Sequence, residues 1–286
     1  MLDPIHALEA RIREDPDDAE AWKVYADWLL DQGDRRGELI LLERHPDASR
    51  DPQLRSSIAA LVAEHRASWT PAGLYAQSCE WRGGFVVGAT FRVSDRYDPD
   101  TLARALADPR ARFLIDLRLD IDASLATKVV ASMAKVDFGR LRSLRAIHHG
   151  RGDALARVLA KQRGLNLATL DLRNSVLTNN GLVELADSGQ LRGLRALHLQ
   201  NNKFAGKGLA ALARAELGAL ELLDLRYNQI TEVGAAALAS SPQLGALRSL
   251  YLYAADLGPA GVHALASSTT LPHDIVRYWR AQDALQ

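Results

Sequence analysis

The sequence predicts an α/β repeat solenoid, with short parallel strands on its concave side and helices on its convex side, preceded by a small all-α domain. Three observations predict it. A leucine pattern, L-x-x-L-x-L, opens four segments: at Leu167 (LATLDLRNSVLTNNGLVEL), Leu194 (LRALHLQNNKFAGKGLAAL), Leu220 (LELLDLRYNQITEVGAAAL) and Leu247 (LRSLYLYAADLGPAGVHAL). Each carries a glycine at a matching offset (Gly181, Gly208, Gly234 and Gly261), so the steps are 27, 26 and 27 residues. The N-terminal stretch lacks the pattern and shows helix caps and three-to-four spacing of apolar residues instead. A constant period of this length marks stacked units that bury their apolar faces on one another.

Residues 1–68 read as four helices. Asp3-Pro4 supplies a cap and a proline at the first helical position, and Ile5, Leu8 and Ile12 give the apolar face. Asp15-Pro16 breaks the chain, and a second helix runs through Trp22, Tyr25, Ala26, Trp28 and Leu29 to Gly33. Asp34 caps a third helix carrying Leu39, Leu41 and Leu42, ended by His45-Pro46; a fourth, from Pro52, buries Leu54, Ile58, Leu61 and Val62. The stretch 69–73 is the junction, so the expected domains are 1–68 and 69–286.

Trp81-Arg82-Gly83-Gly84-Phe85 predicts a tight hairpin, with Phe85, Val87, Ala89 and Phe91 alternating along its second strand. This hairpin, residues 75–95, is expected to cover the first open edge of the array. Leu114, Leu117 and Leu119 head a degenerate repeat, and Leu144 with Ile147 head another. Helical returns follow at 181–186, 208–213, 234–239 and 261–266. Leu271-Pro272 followed by Ile275, Val276, Tyr278 and Trp279 predicts a capping helix over 271–286.

Two resemblances sharpen this outline. The run DPDDAEAWKVYADWLLDQGDRRGELILLER, residues 15–44, resembles the bacterial repeat-companion domain, a short module that precedes leucine-rich or other repeats. The matching residues are Asp15, Pro16, Asp18, Tyr25, Ala26, Asp27, Trp28, Leu29, Gly33, Asp34, Arg36, Gly37 and Glu38. The resemblance implies architecture and brings no catalytic residues. The periodic half, residues 110–270, resembles leucine-rich repeats of the ribonuclease-inhibitor-like class. It departs at the asparagine of the bend: Asn202 and Asn228 fill that place, while Ser175 and Ala255 replace it. Those two bends are therefore expected to be looser or bonded through water.

Composition narrows the function. The formal charge is zero, yet residues 1–68 carry 9 Lys+Arg against 15 Asp+Glu, and residues 69–168 carry 16 against 10. An acidic head beside a basic neck invites contact between them or partners of opposite sign. The basic neck is mild and its arginines alternate with aspartates, which argues against nucleic acid. Cys79 is the single cysteine, so an internal disulfide and a cysteine zinc cage are both excluded. The start lacks the basic and apolar regions of a signal peptide and no run is long enough to span a bilayer, so the expectation is a cytoplasmic protein without a membrane partner.

The informative surface is the side of the strands away from the leucines. The position between the leucines gives a first row: Arg118, His148, Asp171, His198, Asp224 and Tyr251. The position after them gives a second: Asp120, Gly150, Arg173, Gln200, Arg226 and Tyr253. A His148-Asp171-His198-Asp224 succession has the residue types of a divalent-metal site, but a mutually neutralised polar face is the simpler reading, because spacing alone predicts none of the ligand geometry. Arg173 and Arg226 could grip an acidic group or pair with Asp171 and Asp224. Tyr251 and Tyr253, near Tyr227, make an aromatic end suited to a binding hot spot, or to stacking under the C-terminal cap with Trp279. In the head, Asp27 and Asp31 share a helix face, but Asp34 is a cap and Arg35 and Arg36 neutralise the group. No Walker loop, G-x-S-x-G elbow or H-E-x-x-H helix occurs.

The function expected from these observations is a non-catalytic, cofactor-free scaffold or adaptor that recognises a protein partner on the concave face. The alternatives are an enzyme regulator, either an inhibitor or a GTPase-activating type that supplies Arg118, Arg173 or Arg226, and a metal-dependent enzyme on the His/Asp row.

Overall fold

A computed structural model describes residues 4–93, 100–122 and 124–285. The Asp3 cap lies outside them. The chain forms two compact units: one holds the described residues of Met1–Phe91 and Asp100–Leu117, the other those of Arg92–Pro99 and Arg118–Gln286.

The first unit starts with four helices: α1 (Pro4–Glu14), α2 (Ala19–Asp31), α3 (Arg36–Glu43) and α4 (Pro52–Trp69). Their ends follow from local chemistry. Asp18 accepts the Ala21 N–H at the start of α2, and Asp51 accepts the Gln53 N–H before Pro52. Gly33, at φ 72°, turns the chain out of α2, and Asp34 then accepts the Arg36 N–H at the first residue of α3. Gly37 lets α3 approach α2: a Cβ there would stand 2.5 Å from the Ala26 carbonyl oxygen.

The unit extends past residue 68. Strands β1 (Cys79–Arg82) and β2 (Phe85–Val93) form an antiparallel hairpin, turned by Gly83 and Gly84 at φ 55° and 75°. Phe85 packs with Trp22, Tyr25 and Phe113 in one aromatic cluster. The short helix α5 (Thr101–Ala107) belongs to the same unit. The boundary expected at 68 therefore differs from the observed one, because the helices alone do not enclose this cluster and the hairpin and Phe113 complete it. Val86 is buried as well as Phe85 and Val87 only half-buried, so β2 is covered on both faces rather than alternating.

The second unit takes up β3 (Asp116–Ile121) from Arg118 onward, and its strands follow in chain order: β4 (Ser143–Ile147), β5 (Thr169–Asp171), β6 (Ala196–His198), β7 (Leu222–Asp224) and β8 (Ser249–Tyr251). From β4 to β8 every neighbouring pair is parallel, with Leu144, Leu170, Leu197, Leu223 and Leu250 in register. Between strands the chain returns through α6 (Ala126–Met133), α7 (Gly152–Ala160), α8 (Asn179–Asp187), α9 (Gly206–Leu212) and α10 (Thr231–Ala239), and α11 (Gly258–Ala266) follows β8.

The repeating glycine has a steric cause: a Cβ at Gly181 would lie 2.4 Å from Asp153 Oδ1, and one at Gly234 would lie 2.7 Å from Leu209 Cδ1. Each glycine marks where one return packs on its predecessor. The last element, α12 (His273–Asp283), buries Ile275, Val276 and Trp279, whereas Tyr278 faces solvent.

Candidate functional site

The bends after the strands fix where every candidate side chain points. Asn202 and Asn228 are buried there and bond to the backbone of adjacent repeats. Asn202 Oδ1 accepts the N–H groups of Ser175 (3.1 Å) and Leu177 (2.9 Å), and its Nδ2 donates to Leu172 O and Leu199 O, both at 2.9 Å. Asn228 repeats the pattern one turn later, accepting the Asn202 N–H at 3.0 Å and donating to Leu199 O and Leu225 O. Ser175 is not a loose bend: its hydroxyl donates to Ala146 O and Arg173 O, both at 3.1 Å. At Ala255 the chain changes form and makes a short 3-10 turn, Ala254–Asp256.

Stepping back 26 residues from Ser175 reaches His149, fully buried in the same column. Its Nδ1 accepts the Arg151 N–H at 3.1 Å, while its Nε2 is buried without a partner. Loss of solvation pushes the His149 pKa down from 6.5 to about 4, so the ring is neutral at pH 7.

This column corrects one register. The first row was expected to contain His148, but the strand partner of Asp171 is Arg145. His148 sits in the bend at φ 59°, in line with Asn174, Asn201 and Tyr227, which also have positive φ. Gly150 likewise follows the bend, and the residue in its expected place is Ile147. The cause is the core: Leu141, Leu144 and Ala146 are all buried, so the repeat begins three residues before Leu144 and ends its pattern on an alanine. A step of 26 back from Asp171 lands on Arg145, and that spacing was the available signal.

The observed first row is Arg145, Asp171, His198, Asp224 and Tyr251. Its two carboxylates are the buried anchors, each 2% exposed. Asp171 receives Arg173 through Nε (2.9 Å) and a terminal nitrogen (2.8 Å), and Arg145 Nε approaches it at 3.1 Å. Asp224 receives Arg226 in the same fork (3.0 and 2.6 Å) and Gln200 Nε2 at 2.6 Å. Both arginines are held more firmly protonated by these bonds. His198 stands between the two carboxylates. Burial nevertheless lowers its pKa, outweighing the pull of Asp171 and Asp224.

The aromatic end is a separate cluster. The Arg226 guanidinium lies over the Tyr251 ring at 5.1 Å, and Tyr227 meets Tyr253 edge-on at 5.0 Å. All three tyrosines are exposed. Trp279 makes its ring contact with Tyr278 instead. Towards the other end, Arg118 is half-buried in β3, and exposed Asp120 pairs with Arg92 at 3.4 Å.

The arrangement offers positioned charge and aromatic surface more readily than reactive groups. Among the described residues no three His, Cys, Asp or Glu side chains gather as a metal site. Burial raises the Cys79 thiol to about 11, leaving it protonated at neutral pH. Among the described residues no helix is long and apolar enough to cross a membrane.

Comparison with known proteins agrees with this geometry over part of the array. The leucine-rich repeat family model matches residues 191–213 and 220–239, the stretches that hold His198, Gln200, Asn202, Asp224, Arg226 and Asn228. No curated protein matches the chain. With its leucine ladder, asparagine bends and helical returns, the second unit is a leucine-rich-repeat solenoid, and leucine-rich repeats generally mediate protein–protein interaction.

Proposed function

We propose that the protein is a non-catalytic scaffold or adaptor that holds a protein partner on the concave face of its repeats. The supporting observation is the pair of forks at Asp171–Arg173 and Asp224–Arg226, next to exposed Tyr227, Tyr251 and Tyr253. Arginines already immobilised by buried carboxylates lose little side-chain freedom when a partner docks, and rigid tyrosines add contact area cheaply in entropy. On this reading Arg118, Asp120, Asp171, His198, Asp224 and Tyr251 contribute from the strands and Arg173, Gln200, Arg226 and Tyr253 from just beyond the strand ends, with Arg145 joining them and His148 reaching in from its bend.

The head fits the repeat-companion reading, because its matching residues serve the fold: Asp18 and Asp34 cap, Gly33 turns, Gly37 admits close packing, and Tyr25 bonds Glu9 at 2.8 Å. Strands alternating with helical returns fit the ribonuclease-inhibitor-like class. A regulator that inserts an arginine into a phosphate site is the weaker alternative, since Arg173 and Arg226 would first have to leave their carboxylates. The test is affinity purification from the native cell with intact protein beside a Tyr251→Ala/Tyr253→Ala variant, two exposed side chains whose removal should leave thermal stability unchanged. Loss of the same co-purifying protein supports the proposal; undiminished recovery removes the concave face from it.

A further inference from the structure

The ladder ends at β8 with its outer edge open. The Ser249 N–H donates to Glu221 O and the Leu225 N–H to Tyr251 O, both at 3.0 Å, so these two residues direct their backbone groups inward. In a parallel strand the groups of the residue between them, Leu250, face the opposite side. The side chain repeats this asymmetry: Leu170, Leu197 and Leu223 are 1%, 0% and 0% exposed, whereas Leu250 is only half-buried. Along this edge, between β8 and α12, runs a cleft of about 300 Å³ whose lining includes Arg248, Leu250, Tyr251, Asp274, Ile275 and Trp279. Trp279 is 1% exposed, yet its indole N–H has no acceptor. A buried indole normally finds one. At the start of the edge Arg195 and Arg248 approach the one Glu221 carboxylate, at 3.2 and 3.5 Å, and Asp274, on the α12 side of the cleft, is matched by Arg277 at 3.2 Å, which leaves positive charge in excess.

We propose that this cleft is a peptide site in which an extended segment of a partner protein adds to β8 as a further strand. The segment sets an apolar side chain against Leu250, Ile275 and Trp279, accepts the Trp279 indole N–H on a backbone carbonyl, and places an acidic residue beside Arg248. Each requirement answers one observation, and strand addition is the binding mode that supplies free backbone groups together with alternating side chains. A helix keeps its backbone groups to itself and leaves the edge of Leu250 unmatched. The β8 strand of a second copy has no carboxylate between Arg248 and Leu252 to meet Arg248.

The test is selection of a random dodecapeptide library, displayed on phage, against the full chain, followed by synthesis of the enriched peptides. The expected peptides alternate apolar residues and carry an acid. At saturation they slow hydrogen exchange of the Leu250 amide at least about tenfold, and Trp279→Phe weakens them about tenfold through loss of one hydrogen bond. Arg248→Glu, an exposed change, should turn the selected charge from acidic to basic and serves where Trp279→Phe lowers stability. The proposal is overturned if no peptide is enriched, or if enriched peptides ignore both substitutions and leave Leu250 unprotected. It is also overturned if sedimentation shows a self-associated chain whose Leu250 amide is already protected, since a second copy is then the occupant.

Discussion

His149 should make the stability of the solenoid depend on pH in a window where few other groups titrate. The perturbation is a fall from pH 7 to pH 5, with His149→Asn as the comparison. The folded pKa is about 4 and the ordinary value 6.5, so between them the unfolded chain binds a proton that the folded chain refuses. Stability from this group is therefore complete above about pH 6.5 and is lost as pH falls towards 4. Linkage over the whole shift amounts to about 3 kcal/mol, and about 2 kcal/mol of it falls between pH 7 and pH 5. His198, also shifted down, acts in the same direction but is present in both proteins and cancels in the comparison. Asparagine at 149 carries no proton and matches the residue that closes the bends at Asn202 and Asn228. Urea unfolding of both proteins at half-unit steps of pH should show the wild type losing about 2 kcal/mol more than the variant on going to pH 5. Parallel curves would mean that the ring is hydrated or already paired, and that the column does not extend to His149.

Three further outcomes follow from packing. Asn202→Ala strands two buried N–H groups and the Leu172 carbonyl, while Leu199 O keeps its bond from Asn228, and should cost about 3–5 kcal/mol in urea unfolding, against about 1–2 kcal/mol for Ser175→Ala, which removes one hydroxyl; equal losses would contradict the bonding described. Leu199→Ala should cost about 2–5 kcal/mol by leaving a cavity between repeats, and an unchanged midpoint would refute the register. Gly181→Ala drives a methyl group into Asp153 and should cost about 1–3 kcal/mol, readable as a lowered melting temperature.

The outline was legible because leucine, glycine and asparagine each meet a demand that recurs once per turn: a buried side chain under the strand, a close helix contact, and a bond across the bend. Where those residues recur, the reading placed Asp171, His198, Asp224 and Tyr251 side by side. It slipped where the residue types changed but the demand stayed. Ala146 fills the place of a leucine and His149 that of an asparagine, so the leucine pattern pointed to Leu144 and Ile147 while the core required Leu141, Leu144 and Ala146. The period survives such substitutions better than the pattern does, because it is set by the length of chain needed to complete one turn of the coil. Counting 26 or 27 residues finds Arg145 and the His149 bend without reference to any side chain. The boundary near 68 failed differently: Trp22 and Tyr25 need Phe85 and Phe113 around them, and no local signal shows that a helical head borrows its last aromatic residues from a hairpin and from the segment beyond it. A periodic unit carries the rule for its neighbours within its own sequence; a core assembled once, from distant segments, does not.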